Sequence, residues 1–277
     1  MAAPSTPPPR TYLFVPGTRA DRFGKALASG ADCVVLDLED AVAPADKPQA
    51  RDAVLQWLSQ APEAERSRVA VRINDAASPW FDTDLQAMQA CGCQQLMLPK
   101  AEEPWQLGAV GAAVQGAQVL ALIESARGVA RVDAIATTSS VARLMFGTLD
   151  FALDLDMDIS EDASGLAYAA SRIAVASRVA GLPSPVAGVT PQLDDAARLL
   201  SDLAQARRLG FGAKLCIHPS QVAPIHAALR PSAQALDWAH RVVAANAASP
   251  GAARLDGRMV DRPVLLQAQR TLQLARD

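Results

Sequence analysis

The sequence is poor in aromatic side chains, with six Phe, four Trp and two Tyr among 277 residues. That scarcity speaks against an aromatic-rich β-sandwich and, with it, an all-β fold. There is no basic excess either: 26 Lys and Arg stand against 29 Asp and Glu, a formal net charge of −3. Without a positive field there is no general means of gripping a phosphodiester backbone, so nucleic acid is excluded as a partner. The four cysteines, Cys33, Cys91, Cys93 and Cys216, lack paired zinc-type spacing, and Cys91-x-Cys93 has no matching second pair. They read as reduced thiols of a cytoplasmic protein. Residues 1–9 hold three consecutive prolines and no apolar run. This fits neither a secretory signal nor a membrane span, and the segment reads as a disordered leader. No Gly-x-Gly-x-x-Gly follows the first apolar run, which removes the usual support for a dinucleotide crossover.

What the chain does have is alanine, 57 residues of it. Alanine favours helix and adds little lateral bulk, so it suits many helices packed closely on a sheet. The length allows one large domain or two small ones, and roughly 200–250 residues is ordinary for a single α/β barrel. Eight short β-branched or aliphatic runs recur, at residues 11–15, 33–38, 69–73, 95–98, 118–123, 143–146, 185–189 and 214–217. Runs this apolar, without clean alternation, are expected of parallel strands buried on both faces. Between them, residues 19–28, 46–59, 83–90, 105–114, 128–136, 166–180 and 194–209 are rich in Ala and Leu with spaced charges, one helix each. Eight such units predict an α/β fold of the TIM (β/α)8 barrel class, with a doubly wound open sheet as the alternative. Beyond the eighth unit, residues 231–248 predict a helix, 249–257 a Gly/Pro/Ala-rich connector and 258–277 a short extension with its own helix. The expected division is a leader (1–9), a barrel (10–230) and a C-terminal helical extension or lid (231–277).

In a barrel the chemistry sits at the C-terminal ends of the strands. The polar residues closing the apolar runs are Arg19, Arg22 and Lys25 after Pro16-Gly17, then Asp37, Glu39 and Asp40, then Arg72 and Asn74, then Lys100, Glu124, Asp150 and His218. Taken singly, each is an ordinary helix cap or loop charge. It is the convergence of acidic, basic and amide groups on one rim that points to a site. Glu124 and Asp150 close consecutive strands and set two carboxylates side by side. Such hard oxygen donors suit Mg2+, which takes one or two carboxylates and leaves its other positions to water and substrate. Arg72 lies across the mouth, able to grip a carboxylate or enolate oxygen through its planar fork, or else to pair structurally with Asp37 or Glu39. Those two carboxylates are expected to orient Arg72 or metal-bound water. Arg19, Arg22 and Lys25 share a face that can meet phosphates or simply be solvated. Lys100 raises a competing chemistry, a Schiff base with a keto substrate, against which Glu102 and Glu103 would keep its ammonium charged. His218 is either a base or a hydrogen-bonded structural residue.

These strand ends resemble a known family. The segments are Arg10-Thr-Tyr-Leu-Phe-Val-Pro-Gly17, Gly30-Ala-Asp-Cys-Val-Val-Leu-Asp-Leu-Glu-Asp-Ala-Val42, Val71-Arg-Ile-Asn74 and Leu98-Pro-Lys100. They continue with Leu122-Ile-Glu-Ser-Ala-Arg-Gly128, Phe146-Gly-Thr-Leu-Asp150, Gly212-Ala-Lys-Leu-Cys-Ile-His-Pro-Ser-Gln-Val222 and Met259-Val-Asp-Arg-Pro263. In this order, from Arg10 essentially to the C-terminus, the chain resembles the citrate lyase β-subunit-like proteins of the wider HpcH/HpaI, malyl-CoA and citramalyl-CoA lyase group. The resemblance implies a TIM barrel holding Mg2+ through Glu124 and Asp150, with Arg72 contacting the substrate; together with Glu124 and the basic Arg19 and Lys25 this makes the expected substrate-binding set. It also implies a homotrimer or higher assembly and acyl-CoA or acyl-carrier-protein thioester substrates. An aspartate matching Asp261 would act in proton transfer from the C-terminal segment of a neighbouring subunit. Two departures stand out. Leu149 occupies the place of an acidic residue in the family's Gly-x-Glu-Asp, and Ala187 precedes Gly188-Val189 where relatives commonly carry aspartate. Both bear on substrate choice or on activity.

The implied reaction is reversible cleavage of a β-hydroxyacyl thioester into an acetyl thioester and a 2-oxo acid, with Arg72 and Asp261 as its catalytic side chains. Citryl, malyl and citramalyl thioesters all fit. The alternatives are a non-autonomous citrate lyase β subunit acting on a citryl-acyl-carrier protein and a Schiff-base aldolase using Lys100.

Overall fold

A strand covered on both faces must be apolar on both, and such strands here build one closed wall. In the computed structural model, which describes residues 7–249 and 253–275, strands β1–β8 are Thr11–Pro16, Cys33–Asp37, Val69–Arg72, Gln95–Leu98, Gln118–Ile123, Val141–Phe146, Val186–Ala187 and Ala213–Cys216. They pair in chain order, all parallel, and β8 closes onto β1 through Thr11↔Lys214, Tyr12↔Leu215 and Leu13↔Cys216. The fold is therefore the eight-stranded barrel, and the open doubly wound sheet is ruled out. Helices α1–α9 are Phe23–Ala28, Lys47–Gln60, Glu63–Arg66, Phe81–Cys91, Pro104–Ala113, Ala126–Ala136, Thr148–Asp154, Ala167–Val179 and Ala196–Arg208.

Three differences from the expected elements stand out. The first helical segment opens as a 3-10 turn, Ala20–Arg22, before α1. Strand β7 shrinks to two residues, Val186–Ala187, and on its N-terminal side Pro185 brings no N–H to a ladder. Helix α7 was not anticipated: its seven residues are too few to show a period. It matters because Asp150 stands in its first turn, not at the end of β6.

The inside of the barrel is filled. Tyr12, Cys33, Val35, Ala70, Met97, Leu120, Leu122, Met145, Val186, Ala213 and Leu215 form one buried cluster, with Phe14 and Val189 packed on it. At the N-terminal end of β6, buried Arg143 donates to the carbonyls of Ser184 (2.8 Å) and Pro9 (2.6 Å) and to the Tyr12 hydroxyl (3.1 Å). Burial pushes the Tyr12 phenol up to about 12, against the opposing charge of Arg143.

The chain divides into two compact units, Pro8–Ile225 and a C-terminal unit that begins at His226. The division falls inside α10, Val222–Leu229, and α11 (Ala233–Ala248), β9 (Ala253–Leu255), β10 (Arg258–Val260) and α12 (Arg262–Leu274) follow. Helices α11 and α12 pack around Ala239, Val242, Val260 and Ala268. The antiparallel hairpin β9–β10 occupies part of the expected connector over 249–257, of which residues 250–252 lie outside the described residues. Asp256 and Gly257 both take positive φ, 49° and 74°, as a two-residue Asp-Gly hairpin turn requires. Of the expected leader, residues 1–6 likewise lie outside the described residues. Among the described residues no helix is long and apolar enough to cross a membrane.

Candidate active site

Asp37 and Arg72 are register partners at the ends of β2 and β3. The Arg72 guanidinium donates from Nε to Asp37 Oδ1 (2.7 Å) and from Nη2 to Oδ2 (2.6 Å), a planar two-point fork. Its Nη1 faces Glu39 Oε2 at 3.0 Å and the exposed Asp40 carboxylate at 3.6 Å, and the Phe14 ring lies beneath it with 4.8 Å from guanidinium carbon to ring centroid. Burial works against the charge of Arg72, but Asp37, Glu39 and Asp40 more than offset it and hold the proton more firmly than in a free guanidinium. The pairing with Asp37 and Glu39 that the sequence left open is thus the geometry observed, and both carboxylates orient Arg72.

Glu39 is itself held by its neighbours. Burial pushes its carboxyl up to about 7, opposed by Arg72 and reinforced by Asp40. Below it, buried Lys47 donates from Nζ to the carbonyls of Leu38 (2.9 Å) and Glu39 (3.0 Å) and to Asn74 Oδ1 (2.5 Å). Asn74 Nδ2 donates to Asp84 Oδ2 (2.7 Å), and Arg51 Nε to Asp84 Oδ1 (2.7 Å). Sequence reasoning missed Lys47, Arg51 and Asp84. In sequence they are ordinary charges on α2 and α4, and only the burial of those faces sets them apart.

Two strands further along the wall, Glu124 follows β5 and is 4% exposed. Its Oε1 accepts the backbone N–H of Lys100 at 2.7 Å. Lys100 presents that amide from a left-handed backbone, φ 46°, a conformation that costs a non-glycine residue of order 1–3 kcal/mol. Burial pushes the Glu124 carboxyl up to about 8, the Lys100 amide opposing and the charge of Asp150 adding to the rise. Gly147, the cap of α7, has no side chain because a Cβ there would stand 2.4 Å from Glu124 Oε2.

The Lys100 ammonium pairs with Glu39 Oε1 at 3.5 Å and Asp75 Oδ2 at 3.9 Å. Burial works to lower its pKa, but Glu39, then Asp75, outweigh this and raise it. Lys100 is therefore a charged ion-pair partner, unlike the neutral amine a Schiff base needs. The carboxylates responsible are Glu39 and Asp75. Glu102 and Glu103, expected in that role, are engaged elsewhere, by the Ser125 hydroxyl and by Arg127 and Arg131.

The remaining candidates stand apart. Arg19 forks onto Asp21 with two contacts of 2.9 Å at the surface, and Arg22 and Lys25 are exposed beside it. His218 is exposed, and its Nδ1 accepts from the Ser220 amide (3.2 Å) and lies 2.7 Å from the Ser220 hydroxyl, the structural role left open for it. Within the C-terminal unit, exposed Asp261 caps α12, its Oδ1 accepting from Val264 N–H at 3.1 Å.

Among the described residues no set of three or more His, Cys, Asp or Glu side chains converges as a ligand cluster. Glu124 and Asp150 are the oxygen donors that remain, and they fit a hard divalent cation. The charge of Asp150 makes that of Glu124 costly, and Glu124 is desolvated yet accepts just one amide hydrogen bond to offset it. A cation such as Mg2+ supplies the missing charge and needs no more than one or two carboxylates.

A sequence profile of the HpcH/HpaI aldolase/citrate lyase family matches residues 10–219. The chain is 36% identical over 269 residues to a citrate lyase subunit beta-like protein of Mycobacterium tuberculosis, covering 95% of this chain and 94% of that one. It is 30% identical over 272 residues to a (3S)-malyl-CoA thioesterase of Cereibacter sphaeroides, covering 97% and 95% respectively. The crystal structure of protein CitE from Mycobacterium tuberculosis in complex with magnesium, acetoacetate and coenzyme A superposes with a TM-score of 0.86 at 35% identity, over 97% of this chain and 98% of that chain.

Proposed function

The chain belongs to the HpcH/HpaI aldolase/citrate lyase family, a family of lyases, and on that premise we propose that it is a Mg2+-dependent carbon–carbon lyase acting on a β-hydroxyacyl-CoA thioester. The products are an acetyl thioester and a 2-oxo acid, and the reaction runs in either direction. The observation that carries this reading is the buried Glu124 carboxylate, desolvated beside the charge of Asp150 and facing the field of the tightly held Arg72. Glu124 and Asp150 would hold the metal, which when bound supplies a Lewis acid for the oxygen of the 2-oxo or 2-hydroxy acid end.

The chain's own side chains do the rest. Arg72 is fixed by Asp37 and Glu39, so a substrate carboxylate or enolate oxygen would meet a preformed donor at Nη1 and little reorganisation is needed. Of its four contacts to carboxylates, the one to exposed Asp40 at 3.6 Å is the longest and is the one substrate would replace. Arg19 and Lys25 are placed at the surface, where releasing Asp21 for a thioester-carrier phosphate costs little. Asp261, from the C-terminal extension (231–277) of a neighbouring subunit in a homotrimer or larger ring, would move the proton at the acetyl carbon. In the cleavage direction the hydroxyl proton leaves, its electron pair forms the new carbonyl, the carbon–carbon bond breaks, and the released carbanion takes up a proton.

The test is a panel of citryl, malyl and citramalyl thioesters, on CoA and on acyl-carrier protein, assayed with Mg2+ present and chelated. Acetyl thioester and 2-oxo acid should appear together, and both should be lost on chelation and in Asp150→Ala. Full activity of the chelated variant refutes the proposal, and release of free thiol without 2-oxo acid would show thioester hydrolysis instead.

A further inference from the structure

On β8 the side chains alternate: Ala213 and Leu215 point into the barrel, so Lys214 points outward beneath the helices. It is 2% exposed, among the largest fully buried side chains of the molecule. Its ammonium has three N–H bonds, yet one acceptor is present, the Gly188 carbonyl at 2.7 Å. Among the described residues it forms no ion pair. The carboxylate whose charge acts on it, Asp202, is committed elsewhere: Oδ1 accepts from Arg198 Nε at 2.8 Å and Oδ2 from the Thr190 hydroxyl at 2.6 Å. Arg198 in turn spends its other nitrogens on the carbonyls of Ser160 (2.7 Å) and Ile159 (3.3 Å). Two cations and one anion leave this region with a net charge of +1. Burial pushes the Lys214 ammonium down to about 8, the direction expected of a cation short of a counter-charge.

Lys214 opens into a cavity of about 160 Å³ between the outer face of β6–β8 and helices α8 and α9. Its walls are Phe146, Leu166, Ala170, Ala187 and Phe211, and it reaches the surface at Ser160 and Gln192. An apolar cavity of roughly 150 Å³ accommodates a benzene-sized molecule. Nothing in the proposed lyase chemistry uses this space, which lies on the other side of the barrel wall from the inward-facing cluster.

We propose that this cavity is a second ligand site, specific for a small organic monocarboxylate with an apolar body about the size of benzene. The carboxylate meets the free N–H bonds of Lys214 and the hydrocarbon part packs against Phe146, Leu166, Ala187 and Phe211. Dicarboxylates are disfavoured because the walls offer no second unpaired cation. The site stands independently of the lyase assignment.

Benzoate and its neutral analogue benzyl alcohol are titrated into the full chain by calorimetry at fixed ionic strength, using wild type, Lys214→Met, Ala170→Leu and Arg72→Met. Wild type and Arg72→Met should bind benzoate alike and in preference to benzyl alcohol. Lys214→Met should weaken benzoate by about tenfold or more, the cost of removing a hydrogen bond to a charged group. Ala170→Leu, which fills the cavity from α8 while keeping the ammonium, should weaken both ligands. Circular dichroism confirms that each variant is folded, and a misfolded Lys214→Met leaves Ala170→Leu to decide. Absence of benzoate binding to wild type, equal binding by Lys214→Met, or loss in Arg72→Met alone, which would place the ligand in the barrel mouth, overturns the proposal.

Discussion

Asp37→Asn asks whether Arg72 is a rigidly held group or a tethered one. Asp37 is 1% exposed and accepts four hydrogen bonds, two from Arg72 at 2.7 and 2.6 Å and one each from the amides of Glu39 (2.9 Å) and Ala41 (3.2 Å). Asparagine keeps the shape and one oxygen, but whichever way its amide turns, its NH2 faces two donors. Breaking a buried ion pair by removing one partner costs about 3–5 kcal/mol. Glu39 still holds Nη1 at 3.0 Å, which favours the lower half of that range. The assay is urea unfolding, with a lowered midpoint and an unchanged slope. A cycle with Arg72→Met adds a second check, because contacting residues couple by about 0.5–3 kcal/mol, and the double variant should cost less than the two singles together. A cost for Asp37→Asn below about 1 kcal/mol, the upper end for an exposed pair, would refute the argument, as would an additive cycle.

Three further outcomes follow from the same geometry. In chelator, the raised folded pKa of Glu124 means that the native state keeps a proton the unfolded chain has lost, so stability falls as pH rises from about 4.5 to about 8; Glu124→Gln keeps the acceptor for Lys100 and should lose this component of the slope, whereas parallel melting curves over pH 5–8 would contradict it. Gly147→Ala drives a Cβ to within 2.4 Å of Glu124 Oε2 and should cost on the order of 100-fold in kcat/KM, as misplacement by about 1 Å does, while Gly24→Ala, with open space around it, should leave activity intact. Asp261→Asn preserves the α12 cap and Asp261→Ala removes it at about 1 kcal/mol; equal inactivity of the two marks a proton-transfer group, whereas an active Asp261→Asn marks a cap alone.

The barrel was legible because its signal is repeated: eight apolar runs separated by helical stretches leave few alternatives, and each strand lies within a few residues of its run. The rim was legible for a related reason, since a charge ending an apolar run has no place in a wall buried on both sides. Arg72, Asp37, Glu39 and Glu124 all stood out this way. The sequence was silent where a residue's meaning depends on burial from elsewhere. Lys47 and Asp84 sit on helices among similar charges, and only packing shows that they face inward. Lys100 was noticed for its ammonium, whereas the atom that meets Glu124 is its backbone nitrogen, which any residue but proline would supply. Its left-handed φ leaves no trace in composition.

The packed floor of the barrel has a consequence for traffic. With Arg143 bonded across to Pro9, Tyr12 and Ser184, and the wall filled inward from there, molecules reach the rim and leave it from the same end. A cleavage that makes two products in such a blind well imposes a queue. On the proposed reaction, a fragment held against the buried Glu124 would wait until the one nearer the entrance had gone, and in the synthetic direction it would have to arrive first.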